Sequence, residues 1–199
     1  MKRILILSVL CLLGACQTLK TSPELIARGN GYLTDGNVEQ AIKYYDKAVA
    51  LNPDNMDAYE ARGAAYFFKG DYKKATADFS KAINANPNNS DLYTAYAAAA
   101  AALEDYDNAL KALEMAQQIN DSKPEIFFSR GNIYYVMGHY DLAVNEFSNL
   151  LEMYPANEVL NARAAALIKL GQTQAAKQDL LEARSGKYPD TLSEYAKAK

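Results

Sequence analysis

The chain repeats itself at a fixed interval, and that interval limits what it can fold into. The stretches IARGNGYL (26–33), EARGAAYF (60–67), FSRGNIYY (128–135) and NARAAALI (161–168) are variants of one phrase. Gly29, Gly63, Ala97 and Gly131 stand 34 residues apart in turn, and Ala164 follows Gly131 by 33. Ala41, Ala75, Ala109, Ala143 and Ala176 keep the same step, as do Pro53, Pro87, Asp121, Pro155 and Pro189. Such a unit is one supersecondary element that cannot bury its apolar face alone, so neighbours must stack into a continuous core.

Inside a unit the spacing is helical. Leu25, Gly29 and Tyr32 fall at i, i+4, i+7 on one helix stripe, and Ala41, Tyr45 and Ala48 repeat that spacing on a second. Small residues let the paired helices approach, and aromatics fill the space between them. Gly36, Gly70, Gly138 and Gly171 mark the end of the first helix, because glycine accepts a left-handed cap. NPDN and NPNN end the second helix and offer Asn as the next N-cap. Abundant alanine, with few valines or threonines, agrees with helices over strands.

These residues together resemble the tetratricopeptide repeat. Its pattern is a large residue, then Gly or Ala, an aromatic, Ala, an aromatic, Ala and Pro. The first unit supplies Leu25, Gly29, Tyr32, Ala41, Tyr45, Ala48 and Pro53, and the second Tyr59, Gly63, Tyr66, Ala75, Phe79, Ala82 and Pro87. The fourth matches through Phe127, Gly131, Tyr134, Ala143, Phe147 and Pro155, with Leu150 at the last small position. The fifth is looser, with Leu160, Ala164, Leu167, Ala176, Leu180, Ala183 and Pro189. The resemblance implies an all-α fold, a right-handed α–α superhelix of five repeats over 22–55, 56–89, 90–123, 124–156 and 157–189. Residues 190–199 read as a short terminal cap. There Thr191 and Glu194 form a capping box, and Leu192, Tyr195 and Ala196 form an apolar stripe.

The third repeat departs furthest. Ala100 replaces the aromatic, Glu104 the turn glycine and Asp121 the proline. TAYAAAAAALEDY stays helical by propensity but fills less volume, which predicts closer packing of this pair. The competing expectation is a soft centre where curvature adjusts to a partner. Hydrogen-exchange protection across 90–123 equal to that of its neighbours would rule it out.

The amino terminus has a different logic. Lys2 and Arg3 precede an uncharged run of ten residues, 4–13, about 15 Å as helix and too short to span a bilayer. Basic start, short apolar stretch and the small Gly14 and Ala15 describe an export signal. Leu13-Gly14-Ala15-Cys16 resembles the lipobox of bacterial lipoproteins. That resemblance implies cleavage of residues 1–15 before Cys16, a diacylglycerol on its thiol, and loss of Cys11 with the signal. Residues 16–21 become a lipidated tether, and Gln17 behind the anchor points to the outer membrane, facing the periplasm. Two or three acyl chains hold a protein on a membrane essentially permanently.

Removing Lys2 and Arg3 from 21 basic residues leaves 19 against 24 acidic ones, a net charge of −5. An acidic body without a basic cluster argues against nucleic acid. His139 is the only histidine, at a turn position held elsewhere by Asn37, Asp71, Asp105 and Gln172. One histidine and no further cysteine after Cys16 cannot assemble a Cys/His nucleophile or a His-rich zinc site. Neither GxSxG nor a phosphate-binding glycine loop occurs. The expectation is a non-enzyme without metal or cofactor, apart from the lipid on Cys16.

What remains is surface. In the family the first helices line a concave groove one position beyond the core stripe. Carried over, that stripe reads Ile26, Asn30, Leu33; Glu60, Ala64, Phe67; Thr94, Ala98, Ala101; Phe128, Asn132, Tyr135; and Asn161, Ala165, Ile168. Family members that clamp a terminal carboxylate do so with Lys and Arg; the matching places here are Ile26, Glu60 and Thr94, which puts that activity in doubt. The opposing expectation is that Leu33, Phe67 and Tyr135 pack against neighbouring repeats and leave no pocket. The combined reading is a membrane-anchored adaptor that binds another envelope protein or a peptide segment of it. Lipoproteins of this plan include pilotins, peptidoglycan-hydrolase adaptors and outer-membrane assembly factors. The alternative is a structural envelope protein that associates with itself.

Overall fold

The structure, a computed structural model, describes residues 21–192. The signal, Cys16, the tether up to residue 20, and Glu194, Tyr195 and Ala196 of the terminal stripe lie outside them. Ten helices fill the described span: α1 (Ser22–Thr34), α2 (Val38–Leu51), α3 (Met56–Lys69), α4 (Tyr72–Ala85), α5 (Ser90–Ala102), α6 (Tyr106–Ile119), α7 (Pro124–Val136), α8 (Tyr140–Met153), α9 (Asn157–Lys169) and α10 (Thr173–Ala183). The fold is an all-α solenoid of tetratricopeptide type.

Each odd helix packs on the even helix that follows, and each even helix on the next odd one. The odd helices also touch one another in succession, while no even–even pair reaches comparable contact. The stack therefore curves with the odd helices inside.

Local chemistry sets the turns. Gly36, Gly70, Gly138 and Gly171 hold φ between 74° and 83° after the odd helices. Asn55 and Asn89 cap α3 and α5 by accepting from the N–H of Asp57 and Asp91 at 3.1 and 2.9 Å. Asn37, Asp71 and Asp105 cap the even helices in the same manner. His139 occupies that place before α8 and makes no side-chain cap. A signal missed in the sequence opens the array: Thr21 and Glu24 form a reciprocal capping box on α1. At the other end α9 has no side-chain cap. The chain supplies one itself, as Pro189 and Asp190 carbonyls accept from the Asn157 and Glu158 N–H at 2.9 and 3.0 Å. Leu192 is buried beside them.

The core pairs volumes across each repeat. A Cβ on Gly29, Gly63 or Gly131 would stand 2.3, 2.9 or 2.5 Å from a ring carbon of Tyr45, Phe79 or Phe147. Where alanine occupies that place, Ala97 and Ala164, the opposing residue sixteen positions on is Leu113 or Leu180 rather than an aromatic. Small residue and ring are one choice, since interiors at crystal-like density leave no slack.

The arginines of the second, fourth and fifth repeats make a further brace that the sequence reading passed over, while Arg28 of the first lies over the Tyr44 ring. Arg62 Nε and Nη2 donate to both Asp78 carboxylate oxygens at 2.7 and 2.8 Å, and Nη1 donates to Asp46 of the preceding repeat at 2.8 Å. Arg130 holds Glu146 and Gln117 at 2.9, 2.9 and 2.7 Å, and Arg163 holds Asp179 and Ser148 at 2.8, 2.7 and 3.1 Å. Each fork ties its own helix pair and the preceding even helix together. The hydrogen bonds that Arg62 donates to Asp78 hold its guanidinium protonated more firmly than usual.

In the third repeat the corresponding residues are Tyr96 and Ala112, and no ion pair joins them. The closer packing expected here is not found: α5 and α6 meet much as the other pairs do. Tyr93, Tyr96, Tyr106, Leu110 and Met137 surround Ala97, Ala100 and Leu113 and supply the volume that Ala100 lacks. The difference lies at the next junction. The α6–α7 interface is the sparsest between consecutive helices, because Ile133 stands where Ala65, Ala99 and Ala166 stand in the other repeats. The larger side chain accounts for the wider spacing between α6 and α7.

Candidate functional site

The groove stripe falls on the inner face of the odd helices, and every one of its residues is half-buried or exposed. Eight of the fifteen line two clefts. The first, of about 430 Å³ between α1 and α3, brings together Ile26, Asn30, Leu33, Glu60 and Ala64 with Tyr45, Asp57 and Ala61. Its walls are apolar except at two places. On the α1 side the buried Tyr45 hydroxyl donates to Asn30 Oδ1 at 2.7 Å, which fixes the orientation of that amide. On the α3 side stand the Asp57 and Glu60 carboxylates. Partial burial, and then the neighbouring Asp57 charge, push the Glu60 carboxyl above its ordinary value.

The second cleft, of about 290 Å³, lies between α5 and α7. Ala98, Ala101 and Asn132 of the expected stripe line it, with Tyr106, Ile133 and Val136. The small alanine side chains of α5 leave it room, and Ile133 forms part of its wall.

Phe67 and Tyr135 frame this alanine region from the second and fourth repeats. Each stands edge-on to the first aromatic of the following helix, Tyr72 or Tyr140, at 5.4 Å between centroids. Leu33, Phe67 and Tyr135 are thus partly packed into the core clusters, and each keeps part of its surface open. Thr94, Phe128, Asn161, Ala165 and Ile168 line neither cleft. Thr94 is turned back onto its own helix, Oγ1 donating to Ser90 O at 2.9 Å, and Phe128 packs on Phe147.

Sequence counting missed Phe68 and Val136, which are 70% and 63% exposed on the groove rim. Both follow a stripe residue directly. A helix turns about 100° per residue, so a rim only one residue wide was too narrow to include them.

Among the described residues no group of three His, Cys, Asp or Glu could hold a metal ion, and no helix is long and apolar enough to cross a membrane. His139 is exposed at the turn before α8 and lines neither cleft.

Curved pairs of helices with an open inner face define a helical-repeat scaffold, a class built for protein–protein interaction. The family model for the tetratricopeptide repeat matches residues 26–90, 65–124 and 128–190, and the chain belongs to that family. Among solved structures it is similar to MamA, with a TM-score of 0.75 and 20% identity over 82% of this chain and 90% of that one. YrrB, described as a TPR protein with an unusual peptide-binding site, superposes with a TM-score of 0.70 at 23% identity over 96% and 97% of the two chains. The pilF protein of Pseudomonas aeruginosa gives 0.70 at 23% over 83% and 78%. At these identities the likeness is one of fold. No curated protein sequence matches the chain.

Proposed function

We propose that the protein is a membrane-anchored adaptor that binds an extended or helical segment of another envelope protein in its concave groove and performs no chemistry. The carrying observation is the inner face itself. Its two clefts and two aromatic pairs stay open to solvent, although the repeats could have closed over them. Half-buried rings give anchors for a bound segment at low entropic cost. The peptide-binding site ascribed to YrrB, whose fold spans nearly all of this chain, is in keeping with that reading.

The LGAC sequence at 13–16 supplies the rest of the proposal. A lipid on Cys16 holds the array on the periplasmic face of the outer membrane, within a short tether of the lipid surface. Tethering raises the effective concentration of a weak groove contact and makes it a stable local one.

The test uses the full chain, extracted from membranes, as bait in extract of the host envelope, with Phe67→Glu/Tyr135→Glu as the second bait. A partner retained by the first and lost by the second, both giving the same helical circular dichroism, supports the groove. Equal retention sinks it. Mass spectrometry of the amino-terminal peptide tests the anchor separately: an unmodified Cys16 thiol, or a chain of Cys16→Ser that still fractionates with membranes, would remove the lipid from the account.

A further inference from the structure

We infer that the groove takes an amphipathic, basic segment: a lysine or arginine of the partner enters the α1–α3 cleft beside Asp57 and Glu60, and the segment's apolar side lies toward Phe67 and Phe68. The inference rests on the groove reading above and adds the chemistry of the occupant.

Charge is distributed unevenly on the inner face. Asp57, Asp91, Glu125 and Glu158 each stand second in their helix, where a carboxylate is favoured by the helix dipole whatever else it does. Glu60 has no such reason. It is the fifth residue of α3, beyond the reach of the dipole, and it faces the cleft one helical turn from the like charge of Asp57. Two like charges facing an open apolar cleft invite an explanation outside the fold.

Two of the other inner acids are engaged within the array. Lys123 pairs with Asp91, and Glu158 Oε1 accepts the Leu192 N–H at 2.6 Å. Asp57 and Glu60 have no cation within ion-pair distance among the described residues. Of the basic residues on α1, α3 and α5, Arg62 is engaged on the opposite side by Asp78 and Asp46, Lys69 by Glu39, and Arg28 lies over Tyr44.

The cleft suits a long side chain with a charged end. Ile26, Ala61 and Ala64 offer apolar surface to a methylene stem, and the carboxylates take the head group. Because Asn30 Oδ1 is committed to Tyr45, its amide N–H groups are left to donate to a carbonyl of the bound backbone. A segment ending in carboxylates would instead meet Asp57 and Glu60 and be repelled. The apolar half of the surface continues along the same helix through Phe67 and the exposed Phe68 to the alanine cleft beyond.

The probes are two short fluorescent peptides of Ala, Phe and Lys, or of Ala, Phe and Glu, with the charges along one side. The full chain is held in phosphatidylcholine nanodiscs, empty discs serve as the blank, and binding is read by anisotropy. The lysine probe should bind at least about tenfold more tightly than the glutamate probe. Asp57→Asn/Glu60→Gln should weaken it about tenfold. Glu114→Gln/Glu152→Gln, which removes the same charge from exposed places on α6 and α8, should leave it unchanged. Equal affinity for the two probes, equal loss in both neutralised pairs, or no binding of the lysine probe would overturn the inference. Phe67→Glu/Tyr135→Glu separates the two levels. If that variant loses both probes and the wild type does not discriminate between them, the groove stands and the basic occupant falls. If it keeps both at full affinity, the groove reading falls as well.

Discussion

The second and third repeats share a backbone and reach it by opposite chemistry. In the second, Gly63 lies under the ring of Phe79, Arg62 forks onto Asp78 and Asp46, and Gly70 takes φ 83° at the turn. In the third, Ala97 faces Leu113, Tyr96 replaces the arginine, Ala112 replaces the acid, and Glu104 takes φ 62° without being glycine. The turn hydrogen bonds survive that change: Glu104 and Asp105 N–H reach Ala101 and Ala100 carbonyls as Gly70 and Asp71 reach Phe67 and Tyr66. A repeat is therefore specified by matched pairs of residues rather than by signature residues taken one at a time. An ionic brace and an apolar one serve the same joint.

The comparison is broken most severely at the brace. Arg62→Ala leaves Asp78, which is 5% exposed, without its partner, and should cost about 3 kcal/mol in urea unfolding. The pair Arg62→Tyr/Asp78→Ala copies the third repeat and should recover most of that loss, since a buried ion pair can be exchanged for well-packed apolar groups. A double variant as unstable as Arg62→Ala would mean that the two braces are not interchangeable.

Gly131→Ala comes next. Its Cβ would enter the ring of the buried Phe147, and the overpacking should cost about 2 kcal/mol despite alanine's better helix propensity. Adding Phe147→Leu recreates the Ala97–Leu113 pairing. It should restore stability in part, which chemical denaturation of the two variants would show.

Glu104→Gly sharpens the contrast in the other direction. Relieving a left-handed non-glycine residue should raise stability by about 1 kcal/mol, read as a higher urea midpoint at unchanged slope. The smallest effect is expected at His139→Asp. That change supplies α8 with the cap that Asp71 and Asp105 give α4 and α6, worth about 0.5–1 kcal/mol in thermal melts.

Much of the fold was legible before any coordinates, because its determinants are local. The 34-residue step, the i, i+4, i+7 stripes and the left-handed glycines all act within a single helix pair. The arginine brace was legible in principle. Arg62, Arg130 and Arg163 each have an acid sixteen residues on, but reading that spacing as contact requires the crossing of two helices. The groove was legible as a stripe and not as clefts. Glu60 was visible as a departure from the clamp pattern, and its place one turn from Asp57 follows from helical spacing, whereas its nearness to Asn30 and Tyr45 was not legible.

Periodicity alone determined the number of helix pairs and the class of fold, since a unit that cannot bury its own face must stack, and its residues announce the face. Tertiary structure decided what the stack does with small differences in volume. One isoleucine at Ile133, in place of alanine, spaces α6 from α7 and lines the second cleft, and a tyrosine at Tyr96 stands in for a salt bridge. Those outcomes depend on several helices meeting at close-packed density, where a few methylenes move a neighbour, and no count along the chain contains that information.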